Sequence, residues 1–171
     1  MGTPSSRKLE LALRKNKGRL LRPKWTRALK EASGFMATPQ DFLSLEETET
    51  MKAAFLNASR SQGVLRRYRN KGELSAITAS IRRLSHDAGS IPVLLFSRVD
   101  DVLGAVCLPA APVLNHPTSV WKVVGEDLCI ATTDMGTGLR VETNFYHEDG
   151  AYVKTGFYEL SAWGRFSEAA A

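Results

Sequence analysis

The chain has 171 residues, is 43% apolar and 24% charged, and carries a formal net charge of +5. That composition fits one ordinary globular domain and excludes whole-length disorder, a collagen-like fibre and a coiled-coil rod. No apolar stretch approaches the ~18–20 residues that span a bilayer. No apolar leader opens the chain, and Cys107 and Cys129 are too few for a disulfide framework, so a cytoplasmic protein without a membrane partner is expected.

The first half has helical periodicity. Ser5 and Ser6 offer a cap, followed by Leu9, Ala12 and Leu13 at i, i+3, i+4. Gly18 weakens the pattern and Pro23 predicts a boundary. From Lys24 a cleaner helix places Trp25, Ala28, Leu29 and Ala32 on one face, and Gly34 stops it. Thr38-Pro39-Gln40-Asp41 is a helix entrance, and Ser44 with Glu47 forms a second, a capping box. The helix they introduce runs toward Ser59, with Met51, Ala54, Phe55 and Ala58 inward. A basic loop from Arg66 to Gly72 follows. Leu74, Ile77, Ile81 and Leu84 then define a helix that ends before Gly89.

The second half changes period. Apolar runs of strand length cover Ile91–Ser97, Val102–Leu108, Val120–Val124, Leu128–Thr133, Leu139–Tyr146 and Ala151–Trp163. Prolines 109, 112 and 117 predict an irregular connection before Trp121. Along Leu139–Tyr146, Leu139 and Val141 point one way, Arg140, Glu142 and Tyr146 the other. Short turn-type connectors, among them Asp134–Gly138 and His147–Gly150, force antiparallel pairing. The expected fold is α+β: N-terminal helices (about 5–88) packed on one face of a C-terminal antiparallel sheet (about 91–166), as a single domain.

Side chains that carry chemistry are sparse. Ser85-His86-Asp87 unites three triad-type residues, but sequence neighbours at a helix end do not point at one another. His116 and His147 lie in predicted loops without metal-ligand spacing. Asp134-Met135-Gly136-Thr137-Gly138 resembles a phosphate loop yet lacks a following helix, so it is read as a hairpin turn with Gly136 and Gly138 at positive φ. Both cysteines fall in apolar strands and are read as buried thiols. Trp121 and Trp163 are expected to close two strands and plug the core. No enzyme activity, metal or cofactor is expected.

Charge is the informative feature. Residues 1–87 hold 18 Lys and Arg against 8 Asp and Glu, whereas residues 88–171 hold 5 against 10. In the sheet half, Glu126, Asp127, Asp134, Glu142, Glu148 and Asp149 cluster with Arg140 as the one basic residue among them. Clustered carboxylates attract a basic partner and speed its association. With Tyr146 adding aromatic contact area, these residues form the candidate partner-binding set. The helical half offers an alternative, a nucleic-acid-binding module in which Arg19, Arg22, Lys24, Arg67 and Arg69 meet phosphates.

Trp121, the Glu126-Asp127-Leu128 step into a strand, Gly138-Leu139-Arg140-Val141-Glu142 and Tyr158-Glu159-Leu160-Ser161-Ala162-Trp163-Gly164 carry a resemblance. The stretch from Ile91 to Phe166 resembles the YxiF-like immunity proteins of contact-dependent growth inhibition and other bacterial polymorphic-toxin systems. The resemblance implies a small, cytosolic, non-enzymatic α+β protein. Such a protein binds one cognate toxin domain, often a nuclease such as an RNase or tRNase, and blocks its active site or substrate surface.

Overall fold

The computed structural model describes residues 4–68, 73–125, 127–148 and 151–171, with side-chain positions for all of these but 4–6, 66–68, 144–148 and 151–157. In chain order the elements are α1 (Pro4–Ser33), a 3-10 turn (Pro39–Asp41), α2 (Leu45–Gln62), β1 (Val64–Tyr68), α3 (Leu74–Arg83) and α4 (Ser85–Ala88). Then follow β2 (Pro92–Phe96), α5 (Asp100–Leu103), β3 (Val106–Pro109), α6 (Ala111–Asn115), α7 (Pro117–Val124), β4 (Leu128–Ala131), β5 (Gly138–Glu148), β6 (Ala151–Trp163) and a 3-10 helix (Gly164–Ala169). The strands form one six-stranded sheet in the order β1-β6-β5-β4-β2-β3. Every pair is antiparallel. The fold is therefore α+β, with N-terminal helices and a largely C-terminal sheet.

Alternation along the strands builds two cores. Val93 and Leu95 of β2, with Ile130, Leu139, Val141 and Leu160, face one side. There they pack against Leu29 of α1, Ile77 and Ile81 of α3, Val113 of α6, Val120 of α7 and Phe166. Leu94 and Phe96 face the other side and meet Phe55 and Ala58 of α2, together with Cys129, Ala131 and Trp163. Most helices thus cover one face, and α2 covers part of the second. Phe55 anchors α2: its ring centroid lies 5.1 Å from Phe96 and 5.5 Å from Trp163. Trp163 is buried and donates its indole N–H to the Met135 carbonyl at 2.8 Å. It closes β6 as the sequence predicts.

The local start of α2 follows its sequence signal. The Glu47 backbone N–H donates to Ser44 Oγ at 3.2 Å, and the Ser44 N–H donates to the Glu47 carboxylate at 2.9 Å. These two bonds satisfy otherwise orphaned donors, and hydrogen bonds from the Ser44 side chain and backbone hold the Glu47 carboxyl below its usual range. Thr38–Asp41 makes only a 3-10 turn. The chain then extends so that Phe42 bridges Val106 at the edge of β3.

Several local expectations change. Residues 120–124 are helical, because Pro117 sets the first turn of α7 and Val120 and Val124, at i and i+4, are both buried. Trp121 accordingly sits on a helix, edge-on to Tyr158 at 5.7 Å, and closes no strand. Val102 and Leu103 belong to α5, and the following strand begins only at Val106. The irregular connection contains α6 and α7. The basic run opens as strand β1, an edge strand paired with β6, while residues 69–72 lie outside the described residues.

Neither Gly18 nor Pro23 ends α1, which runs unbroken to Ser33. Tertiary packing outweighs both local breakers. A Cβ on Gly18 would collide with the Val102 carbonyl oxygen, so this glycine lets α1 lie against α5. Pro23 sits on the exposed side of the helix.

Candidate partner-binding groove and basic helix

The second face of the sheet is only partly covered by α2. A groove runs beside the helix, and Arg140 of β5 stands at its middle. On one side the groove is a cleft of about 220 Å³ lined by Lys52, Phe55, Phe96, Arg98, Asp127 and Cys129, among others. On the other side is a cleft of about 210 Å³ lined by Arg60, Leu65, Glu142, Glu159 and Ser161, among others.

Strand geometry brings the charges together. Arg140 and Glu142 are two apart on β5 and share a face. Arg140 donates to Asp127 at 3.1 Å and is also ion-paired with Glu142. Its side chain keeps only 25% of its exposure, with Asp127 at 31% and Glu142 at 20%. Burial pulls the guanidinium pKa down, but Asp127 and Glu142 more than compensate and hold it above its ordinary value. Glu159 of β6 lies directly opposite Glu142, and Arg67 of β1 lies opposite Glu159.

A second ion pair closes one end of the groove. Lys52 Nζ donates to both carboxylate oxygens of Asp100, at 3.1 and 3.3 Å. The Asp100 side chain is 3% exposed. Desolvation raises its pKa, and Lys52 only partly opposes this. Cys129, between the pairs, is a buried thiol pushed far up by desolvation. Cys107 is half-buried and also raised by desolvation.

The structure therefore brings two of the predicted acids, Asp127 and Glu142, into one groove. Asp134 stands apart and shapes the turn after β4. It accepts from the Thr132 hydroxyl and from the Gly136 N–H, which hold its carboxyl below the usual range. In that turn the positive φ falls on Met135, at 57°, not on Gly136 or Gly138. Gly138 is needed for a different reason: a Cβ there would strike the Trp163 ring. Tyr146 and Glu148 lie on β5 beyond a register shift after Asn144, with side chains outside those described. Glu126 and Asp149 lie outside the described residues.

Sequence reasoning did not single out Glu159, Lys52 or Asp100 as site residues. The contacts that join them to the groove cross between strands or helices. The usable signal was Arg140 itself, a lone cation two residues before an acid on an alternating strand.

Of the alternative, basic set, Arg19 and Lys24 are exposed on α1. Arg22 turns inward, its guanidinium 4.6 Å from the Phe42 ring centroid and within reach of the Leu103 carbonyl. Its side chain is half-buried. Arg67 has a described strand position but no described side chain, and Arg69 lies outside the described residues.

Ser85, His86 and Asp87 form part of the single turn α4. Among the described residues no group of three or more His, Cys, Asp or Glu is placed to hold a metal ion. No described helix is long and apolar enough to cross a membrane. No family model, curated protein or solved structure matches the chain.

Proposed function

We propose that the protein is an immunity protein that acts in the cytoplasm, where it binds a cognate bacterial toxin domain, a nuclease, and neutralises it by covering its active site or substrate surface. The observation that supports docking through the sheet half is the groove around Arg140. It collects carboxylates from the approach to β4, from β5 and from β6, although Asp127, Glu142 and Glu159 are scattered in sequence. A nuclease holds phosphate with lysines and arginines. Such a side chain entering the groove meets partly desolvated carboxylates beside the rings of Phe55 and Phe96, where charge attraction is stronger than in bulk water. Arg60 and Arg140 make the surface mixed in sign, which favours one partner's charge pattern over another's. The role needs binding alone.

The test is co-expression with the variable C-terminal domain of a secreted protein encoded next to this one. Rescue of growth and co-purification are expected. In the Asp127→Asn/Glu142→Gln variant, association should slow and its salt dependence should weaken. Failure of both rescue and co-purification overturns the immunity reading. Rescue with unchanged association in the double variant moves the interface away from the groove.

A nucleic-acid-binding role is favoured by one observation, the exposure of Arg19 and Lys24 on a helix rich in other cations. It predicts affinity for RNA or DNA that falls steeply with salt, and loss of that affinity in Arg19→Gln/Lys24→Gln. Absence of binding at low ionic strength removes it.

A further inference from the structure

α1 is held to the body by one face. Along that face Arg14 donates to the Asp101 carbonyl at 2.7 Å and pairs with Glu49 at 2.8 Å, Gly18 abuts Val102, and Leu29 is fully buried. The opposite face has no partner among the described residues, and it is not simply polar. Leu9, Leu13 and Leu20, at i, i+4 and i+11, are 63%, 62% and 71% exposed. Single exposed leucines are unremarkable, but three on one stripe of a helix docked by its other side are a surface. Exposed Lys17 and Lys24 border the stripe on one side and exposed Arg27 continues its line, with exposed Arg19 about a quarter-turn away on the other side.

We propose that the outer face of α1 docks on an anionic lipid bilayer. The three leucines would enter the boundary between headgroups and acyl chains, and the flanking cations would meet lipid phosphates. Lying on a bilayer requires a one-sided apolar stripe with basic borders, not the long apolar run that crossing requires. Charge argues against a second copy docking by this same face, because α1 holds ten Lys and Arg, Arg14 and Arg22 of them turned to the body, against two acids, Glu10 and Glu31. A nucleic-acid backbone would leave the central leucines without apolar contact. The cations not turned to the body extend from Lys8 to Lys30, roughly 33 Å of helix at its ordinary rise. A planar anionic surface meets that whole length at once, and polybasic segments are drawn to such surfaces.

Sedimentation with vesicles tests this on the full chain. Vesicles of phosphatidylcholine with about one-third phosphatidylglycerol should retain the protein at least roughly tenfold better than phosphatidylcholine alone. The Leu9→Ser/Leu13→Ser/Leu20→Ser variant should lose about tenfold in retention, with an unchanged circular dichroism spectrum because the leucines are exposed. Lys17→Gln/Lys24→Gln/Arg27→Gln should lose retention as well. Equal retention by both vesicle types, or by neither, overturns the proposal. So does full retention of the leucine variant, which would mean nonspecific charge attraction. Binding of duplex RNA without vesicle binding assigns the helix to nucleic acid instead. None of these readouts involves a toxin, so this proposal and the immunity reading stand or fall separately.

Discussion

Glu142 of β5 lies directly opposite Glu159 of β6, two carboxylates paired across neighbouring strands. Like charges in that position repel. Arg140, two residues earlier on the same strand face, holds Glu142 and Asp127 and offsets part of the cost. Arg140→Gln should therefore destabilise the fold at neutral pH by about 1–3 kcal/mol, the range for breaking a partly buried charge network. Thermal unfolding at neutral pH checks this, and equal melting temperatures for the two proteins would remove the network from the stability argument.

Asp100 makes a separate forecast. Its pKa is raised in the fold. A carboxyl raised in this way adds stability below its unfolded pKa and loses it as pH rises through the folded value. Lys52→Met removes the partner and leaves Asp100 buried at 3% exposure. The loss should be about 3 kcal/mol at pH 7 and much smaller below pH 4. Urea denaturation across that range is the measurement; a loss that is independent of pH would mean Lys52 acts through its aliphatic stem.

Two glycines should respond against the usual rule. Alanine in a helix interior is normally favoured over glycine by about 1 kcal/mol. Gly18→Ala should instead destabilise, because its Cβ would collide with the Val102 carbonyl and push α1 from α5. Gly138→Ala should cost about 3 kcal/mol, within the upper range for overpacking, since Trp163 is enclosed and cannot move aside. Stabilisation by either substitution, read by calorimetry, would contradict the packing described.

The cysteines are reporters of folding. Burial raises both thiol pKa values, and the thiolate is the reactive form. Alkylation by iodoacetamide at neutral pH should be slow in the folded protein for both, slowest for the buried Cys129, and fast in denaturant. Rapid labelling of Cys129 in native buffer would show that the α2 side of the sheet opens.

What was legible in the sequence was what short-range chemistry determines. The Ser44–Glu47 capping box marks the start of α2, and alternation with short connectors gives the β4–β5–β6 meander. α7 is hidden because a five-residue apolar run fits either period, and Pro117, which decides for a helix start, equally signals an irregular connection. β1 was hidden because an edge strand can carry charges along its length. The continuity of α1 depends on contacts with α5, far away in sequence. The acids were visible as a composition, but their gathering around Arg140 depends on strand register. Lys52 and Asp100 meet only through the tertiary fold.

The sheet order has a consequence for how the protein is made. Ser59 of α2 meets Ser161 of β6 across 102 residues of chain, and β1 pairs with β6 alone among the described strands. On the ribosome, a nascent chain that has emerged through α3 holds helices with no sheet to cover and a strand with no neighbour. Closing such distant contacts is slow, and the apolar faces of α2 and α3 stay wet in the interval, open to chaperones or to aggregation. Nascent chains arrested before Ala151 should be cut by protease throughout, with protection appearing only once the segment through Trp163 has cleared the exit tunnel.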